Sequence, residues 1–218
     1  MPPECWVAMQ TELDHIVVAC ADLDQGTAWV RSALGVDVAA GGRHAAMGTH
    51  NRLLRLGPRA YLEIIAIDPD APTPGRLRWF NLDHPATRER AAHAPFVATW
   101  VVRSVDIAAA VSRVPVLGDV LSLSRGPYRW QIAVPTDGGL PFDGVLPAVI
   151  QWDGDAHPAD ALADVGCALL GLSVTHPRAD ELQRLLERLG IEPPVAATPG
   201  APAVEGRIRC RAGVRTIV

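Results

Sequence analysis

A short apolar run followed by a stretch of helical period occurs three times along the chain. The first, residues 13–36, reads LDHIVVACADLDQGTAWVRSALGV. Its opening suits a strand, after which Leu23, Thr27, Val30 and Leu34 share one helical face. Asp22, with Gln25 three residues on, has the spacing of a capping box, and Gly35 offers a left-handed exit. In the second, residues 96–115 (FVATWVVRSVDIAAAVSRVP), Ser104 is the expected cap, Ile107, Val111 and Val114 form the face, and Pro115 stops the helix. In the third, residues 168–191, Leu182, Leu185, Leu186 and Leu189 make an amphipathic face that ends at Gly190.

Strand-like segments follow. THNRLLRLG and RAYLEIIAID come after the first opening, and GDVLSLSRG, PYRWQIAVP and LPAVIQWDG after the second, broken by Gly-Pro pairs and by TDGGLPFDG. The pattern predicts an α+β fold of strand–helix–three-strand (βαβββ) units, complete twice and begun a third time. The expected divisions are residues 1–70 and 96–155 for the two full units, 71–95 for a connector with a short helix near Arg76 to Leu82, and 156–218 for a partial third unit packed on the others. Residues 192–204 read as a loop, and a last strand pair closes the chain. One helix covers one sheet face, so the other face must meet the sister sheet or enclose a cavity.

Composition narrows the chemistry. The chain has 218 residues, 49% hydrophobic, with a formal net charge of −4, and all 20 of its basic residues are Arg. The absence of Lys excludes Schiff-base catalysis and a lysine-bearing phosphate loop. The mildly acidic balance argues against a nucleic-acid partner, and no apolar run reaches membrane length. Cys5, Cys20, Cys167 and Cys210 form no CxxC pair, and the first residues carry no secretory pattern. A reducing, cytoplasmic setting is therefore the expectation. GxSxG and GxGxxG are absent.

Alternation places His15, Val17 and Ala19 on the cavity side of the first strand, with Ile16 and Val18 under the helix. In AYLEIIAID, Tyr61, Glu63 and Ile65 share a face. A carboxylate in so apolar a strand needs a partner, and with no Lys that partner must be an Arg (Arg52 or Arg55, for example), a His or a metal. Setting Ile150-Gln151-Trp152 on Leu62-Glu63-Ile64 gives Gln151 the position of Glu63. His15 is open between a buried histidine and a ligand. His50 and Asn51, flanked by Gly, are open between turn-making and ligand contact, with His44 nearby. His157 and His176 precede Pro and suit caps or turns. Trp100, Trp130 and Trp152 suit core packing, with Trp100 and Trp130 as candidate pocket walls.

Together LDHIVVA, GGRHAAMGTHNRLLRLG, YLEII, VIQWDGDAHPADAL and LSVTHP resemble the glyoxalase-like domain of the vicinal oxygen chelate superfamily, from about residue 12 to 218. The resemblance implies βαβββ modules paired around an open, barrel-like cleft. In the superfamily's enzymes, the first and fourth strands of two modules hold a divalent metal that binds two adjacent substrate oxygens. Carried over, His15 and Glu63 match the ligands of the first module and Gln151 one ligand of the second, while the remaining position holds Val97, with Thr99 the nearest polar residue, or Leu170 when the third opening is counted instead; His44 and His50, outside the superfamily's ligand positions, are the candidates to fill the gap. Such a set suits Zn²⁺, Fe²⁺, Ni²⁺ or Mn²⁺. Two functions follow as expectations. One is metal-assisted lyase, isomerase or dioxygenase chemistry on a small oxygenated substrate, with Glu63 as ligand or general base. The other is metal-free sequestration of a hydrophobic small molecule. Either is compatible with a monomer or a homodimer.

Overall fold

The computed structural model describes residues 10–218; Cys5 lies outside them. The first unit runs β1 (Thr11–Ala19), α1 (Leu23–Leu34), β2 (Ala39–His44), β3 (Thr49–Gly57) and β4 (Ala60–Ile67). After α2 (Pro85–His93), the second runs β5 (Phe96–Ser104), α3 (Ile107–Arg113), β6 (Asp119–Arg125), β7 (Tyr128–Val134) and β8 (Ala148–Trp152). The C-terminal part contains β9 (Ala168–Thr175), α4 (Ala179–Leu189), the two-residue strands β10 (Ile191–Glu192) and β11 (Ala197–Thr198), and the hairpin of β12 (Ala203–Cys210) with β13 (Gly213–Ile217). None of the described helices is long and apolar enough to cross a membrane.

Both full units pair their first and last strands in parallel, β1 with β4 and β5 with β8. β1 and β5 then join antiparallel, giving one curled sheet of order β2-β3-β4-β1-β5-β8-β7-β6, with β10 added beside the start of β1. This is the expected α+β architecture of paired βαβββ modules around a cleft. The C-terminal strands form a second sheet, β11-β9-β12-β13, so the third opening does not repeat the strand order of the first two.

Two apolar clusters divide the faces. Ile16, Val18, Leu62 and Ile64 pack with Val30 and Leu34 of α1, with Leu182 and Leu186 of α4, and with Ile208 of the second sheet. Val17, Ala19, Ile65, Val101, Ile132 and Ile150 line the concave face with Trp79, Phe80 and Trp130. The alternation read from β1 and β4 therefore holds. The caps hold for α1 and α4. Asp22 accepts from Asp24 and Gln25 N–H, and Gly35 and Gly190 are left-handed (φ 72° and 61°). The cap of α3 is a correction: Asp106, not Ser104, accepts from Ala109 N–H, and Ser104 ends β5. The expected short helix at Arg76 to Leu82 is irregular chain; the helix starts at Pro85, whose fixed φ suits a first helical position.

Candidate functional site

The two halves are related residue by residue. The caps Asp22 and Asp106 correspond. So do two bulges in the β1–β5 pairing, one at Asp14, between Leu13 and His15, and one at Ala98, between Val97 and Thr99. His15 of the first half thus corresponds to Thr99, not to Val97. Glu63 lies opposite Val17 across β1 and β4; its counterpart, opposite Val101 across β5 and β8, is Ala148.

The bulge at Asp14 lets two consecutive residues of β1 meet. His15 Nδ1–H donates to Asp14 Oδ1 at 2.7 Å. Asp14 Oδ2 also accepts from Trp152 Nε1–H (2.8 Å) and from His157 Nε2–H (3.0 Å). His157 Nδ1 accepts from Ala159 N–H, which fixes its proton on Nε2 and makes it the expected cap as well. On its other side His15 Nε2 faces Glu63 Oε2 at 3.5 Å, and the Tyr61 ring stacks on the imidazole at 4.5 Å. Asp14, His15 and Glu63 are all buried.

Burial alone would discharge this chain of groups. It lowers the affinity of His15 for a proton, but the hydrogen bonds and charges of Asp14 and Glu63 outweigh it and lift His15 to about 9. Burial pushes Glu63 up, yet His15 and the Asn51 amide bring it down to about 2. Asp14 is held well below the carboxylate range against the same desolvation by His15 and His157. An imidazolium between two carboxylates results.

Asn51 Nδ2–H donates to Glu63 Oε1 at 2.5 Å, and Arg125 Nη1–H donates to Asn51 Oδ1 at 2.8 Å. The same Arg125 nitrogen donates to His44 Nε2 at 3.0 Å, while His44 Nδ1 meets Thr49 Oγ1 at 3.1 Å. Burial, opposed by the charge of Glu63 and helped by that of Arg125, drives His44 down to about 4, so it is a neutral acceptor. Arg125 ends β6 and reaches β2 and β3, tying the two outer strands of the curled sheet together. Trp79, Phe80, Trp130 and Trp152 complete the walls of a narrow cleft around these groups.

The expected site residues thus divide. His15, Glu63, Asn51 and Trp130 converge on this cavity. Gln151 does not: it is three residues from Ala148, hence on the other face of β8, and its Oε1 accepts from Ile107 N–H at the start of α3. His50 does not either. Thr49 to Gly57 is strand, so alternation turns Asn51 inward and His50 outward, 4.0 Å from Asp68. Trp100 is fully buried on the helix side, its Nε1–H donating to Val145 C=O. Arg52 and Arg55 are not the partners of Glu63; they bond Thr27 Oγ1 and Leu162 C=O. Sequence reasoning missed Asp14 and Arg125, and read His157 as a cap alone. A bulge is invisible to period-two reading, and Arg125 arrives across a seam between strands distant in sequence.

The four positions at which the superfamily places metal ligands hold His15, Glu63, Thr99 and Ala148. Two of the four are common metal ligands, and the guanidinium of Arg125 sits one side chain away from Glu63. Among the described residues no group of three or more His, Cys, Asp or Glu side chains is placed to hold a metal ion. The donor set does not fit the four-ligand metal shell.

The model of a family described as the glyoxalase-like domain matches residues 13–190. No curated protein matches the chain. Among solved structures, a hypothetical protein from Staphylococcus aureus is similar over 94% of this chain and 98% of its own, at 12% identity and a TM-score of 0.59, which shows a shared fold. Methylmalonyl-CoA epimerase from Mycobacterium tuberculosis is similar over 68% of this chain and 91% of its own, at 21% identity and a TM-score of 0.40. A single-substitution variant of the Streptomyces coelicolor epimerase, in complex with 2-nitronate-propionyl-CoA, is similar over 66% and 95%, at 19% identity and a TM-score of 0.41.

Proposed function

The chain belongs to the glyoxalase-like domain family, and from that premise we propose that its cleft is a metal-independent acid–base site. It moves a proton at a carbon next to a carbonyl group of a small oxygenated molecule. The observation that carries this reading is the buried Asp14–His15–Glu63 chain, in which a charged imidazolium and a charged carboxylate face each other at 3.5 Å inside an aromatic cavity. Glu63 is the base and His15 Nε2–H the hydrogen-bond donor to the carbonyl oxygen; Asp14 holds the ring in that tautomer and offsets its charge.

The contact with His15 is part of what keeps Glu63 a weak base. A carbonyl oxygen that takes over the His15 hydrogen bond removes that contact, so the proton affinity of Glu63 rises as the substrate's C–H comes within reach. Glu63 then accepts the proton and the C–H electron pair passes into the enolate, whose oxygen His15 stabilises. Asn51 fixes Glu63, and Arg125 supports Asn51.

The test is deuterium exchange in D₂O at the carbon next to the carbonyl, followed by proton NMR over a panel of straight-chain α-keto acids and aldehydes. Exchange should persist in the presence of a chelator and fall about 10²-fold or more in Glu63→Gln, the scale of general-base catalysis. Binding without exchange across the panel would make the protein a sequestering one instead. Exchange that requires an added divalent ion would overturn metal independence.

A further inference from the structure

We propose that Arg125 is the anion-binding residue of the cleft: it takes the carboxylate of a small oxo acid whose carbonyl group lies at His15 and Glu63. The assignment deepens the acid–base reading and rests on it for the carbonyl end. Arg125 lines the cleft together with His15, Asn51 and Glu63. Only one of its three nitrogens has an acceptor. Nη1 bonds Asn51 Oδ1 and His44 Nε2, both uncharged, while Nε–H and the Nη2 group have no partner among the described residues and are open to solvent. Those two donors lie side by side on one edge of the guanidinium, the edge that grips a carboxylate with two parallel hydrogen bonds. Arg43, Arg52, Arg78 and Arg103 each pair with a carboxylate; among the described residues Arg125 does not. The Asn51 amide stands between it and Glu63, giving Nδ2–H to one and Oδ1 to the other.

The guanidinium is seated before any ligand arrives. Its stem lies against Gly42, where a Cβ would come within 2.7 Å of Cδ, and its Cζ is 5.9 Å from the centre of the Tyr128 ring. A side chain held in this way loses little freedom when a ligand binds. The balance of charge points the same way. The chain carries a formal net charge of −4, yet the charged groups that line the cleft are two cations, His15 and Arg125, and one carboxylate, Glu63. Asp14 lies behind His15. A ligand with one negative charge evens that balance. Glu63 stands between the two cations, in contact with His15 on one side and joined through Asn51 to Arg125 on the other. A molecule that spans them offers its carbonyl oxygen to one cation and its carboxylate to the other, with the base between.

The experiment measures, by calorimetry on the whole protein, the affinity of two oxo acids and of their neutral amides: pyruvate against pyruvamide, and acetoacetate against acetoacetamide. At least one acid should bind about tenfold or more tighter than its amide, the worth of hydrogen bonds between charged groups. In Arg125→Gln that ratio should fall to about one, and Arg125→Lys, which keeps the charge and loses the fork, should retain part of it. If Arg125 served the fold alone, its loss would weaken acid and amide alike. An unchanged ratio in Arg125→Gln, equal affinity of acid and amide in the wild type, or no binding of either acid would each overturn the proposal. The preference for the acid should persist in Glu63→Gln, where exchange stops. Preference without exchange in the wild type defeats only the acid–base reading, and exchange without preference defeats only the anion site.

Discussion

His15 owes its charge to its neighbours, and that has a cost that depends on pH. Its folded value, about 9, is raised from 6.5, so the stabilisation it brings is complete below about pH 6.5 and is lost as pH rises through about 9. Glu63 runs the other way: lowered from 4.5 to about 2, it stabilises above about 4.5 and ceases to as pH falls through about 2. The pair therefore contributes most between about pH 4.5 and 6.5. The melting temperature of the wild type should decline between about pH 6.5 and 9, and His15→Gln should flatten that decline; an unchanged slope in the variant would show that His15 is not the titrating group. Much at this scale was readable in the sequence. Glu63 in YLEII advertised an unmet charge, and its partner proved to be one of the three types left open by the absence of Lys. Asp14 was not readable, because it shares a face with His15 only through a bulge.

At the scale of elements, a pair of glycines in β2 makes room for the site. A Cβ on Gly41 would lie 2.1 Å from Asn51 Oδ1 and 2.5 Å from its backbone oxygen, and one on Gly42 would lie 2.7 Å from Arg125 Cδ. Gly42 N–H also donates to Asn51 Oδ1 at 2.8 Å. Gly41→Ala should therefore destabilise the fold by about 1–3 kcal/mol, as overpacking does, and lower the melting temperature by several degrees. Helix α3 offers a second check. Asp106→Ala should lose about 1 kcal/mol in chemical denaturation, the worth of an N-cap. The strands and helices were legible in their periods, since apolar residues at spacing two or three to four must find a core. The cap of α3 was misplaced by two residues because Ser104 and Asp106 both suit the role, and only the end of β5 decides between them. The same two-residue error put Val97 where Thr99 stands, and the register of β8 put Gln151 on the wrong face. Pairing partners, not periodicity, set both.

The larger sheet curls until its outer strands, β2 and β6, come together, and Arg125 of β6 bonds His44 and Asn51 where they meet. Arg125→Ala should leave the second sheet untouched and loosen that meeting, seen as faster hydrogen exchange in β2 and β6 with β12 and β13 still protected. Equal loosening of β12 and β13 would argue for general destabilisation instead. The repeat of strand and helix made the pairing of two units legible, but closure by Arg125 depends on where two edges end in space. The near-symmetry has a further consequence, in stereochemistry. The two halves repeat each other's backbone, yet a carboxylate stands at only one of two related places, with Ala148 at the other. On the proposed reaction, a prochiral carbon seated at Glu63 would meet its base from one side alone. Such a cleft would exchange one of two enantiotopic hydrogens and return the deuteron to the face it left, so the product would carry a single configuration.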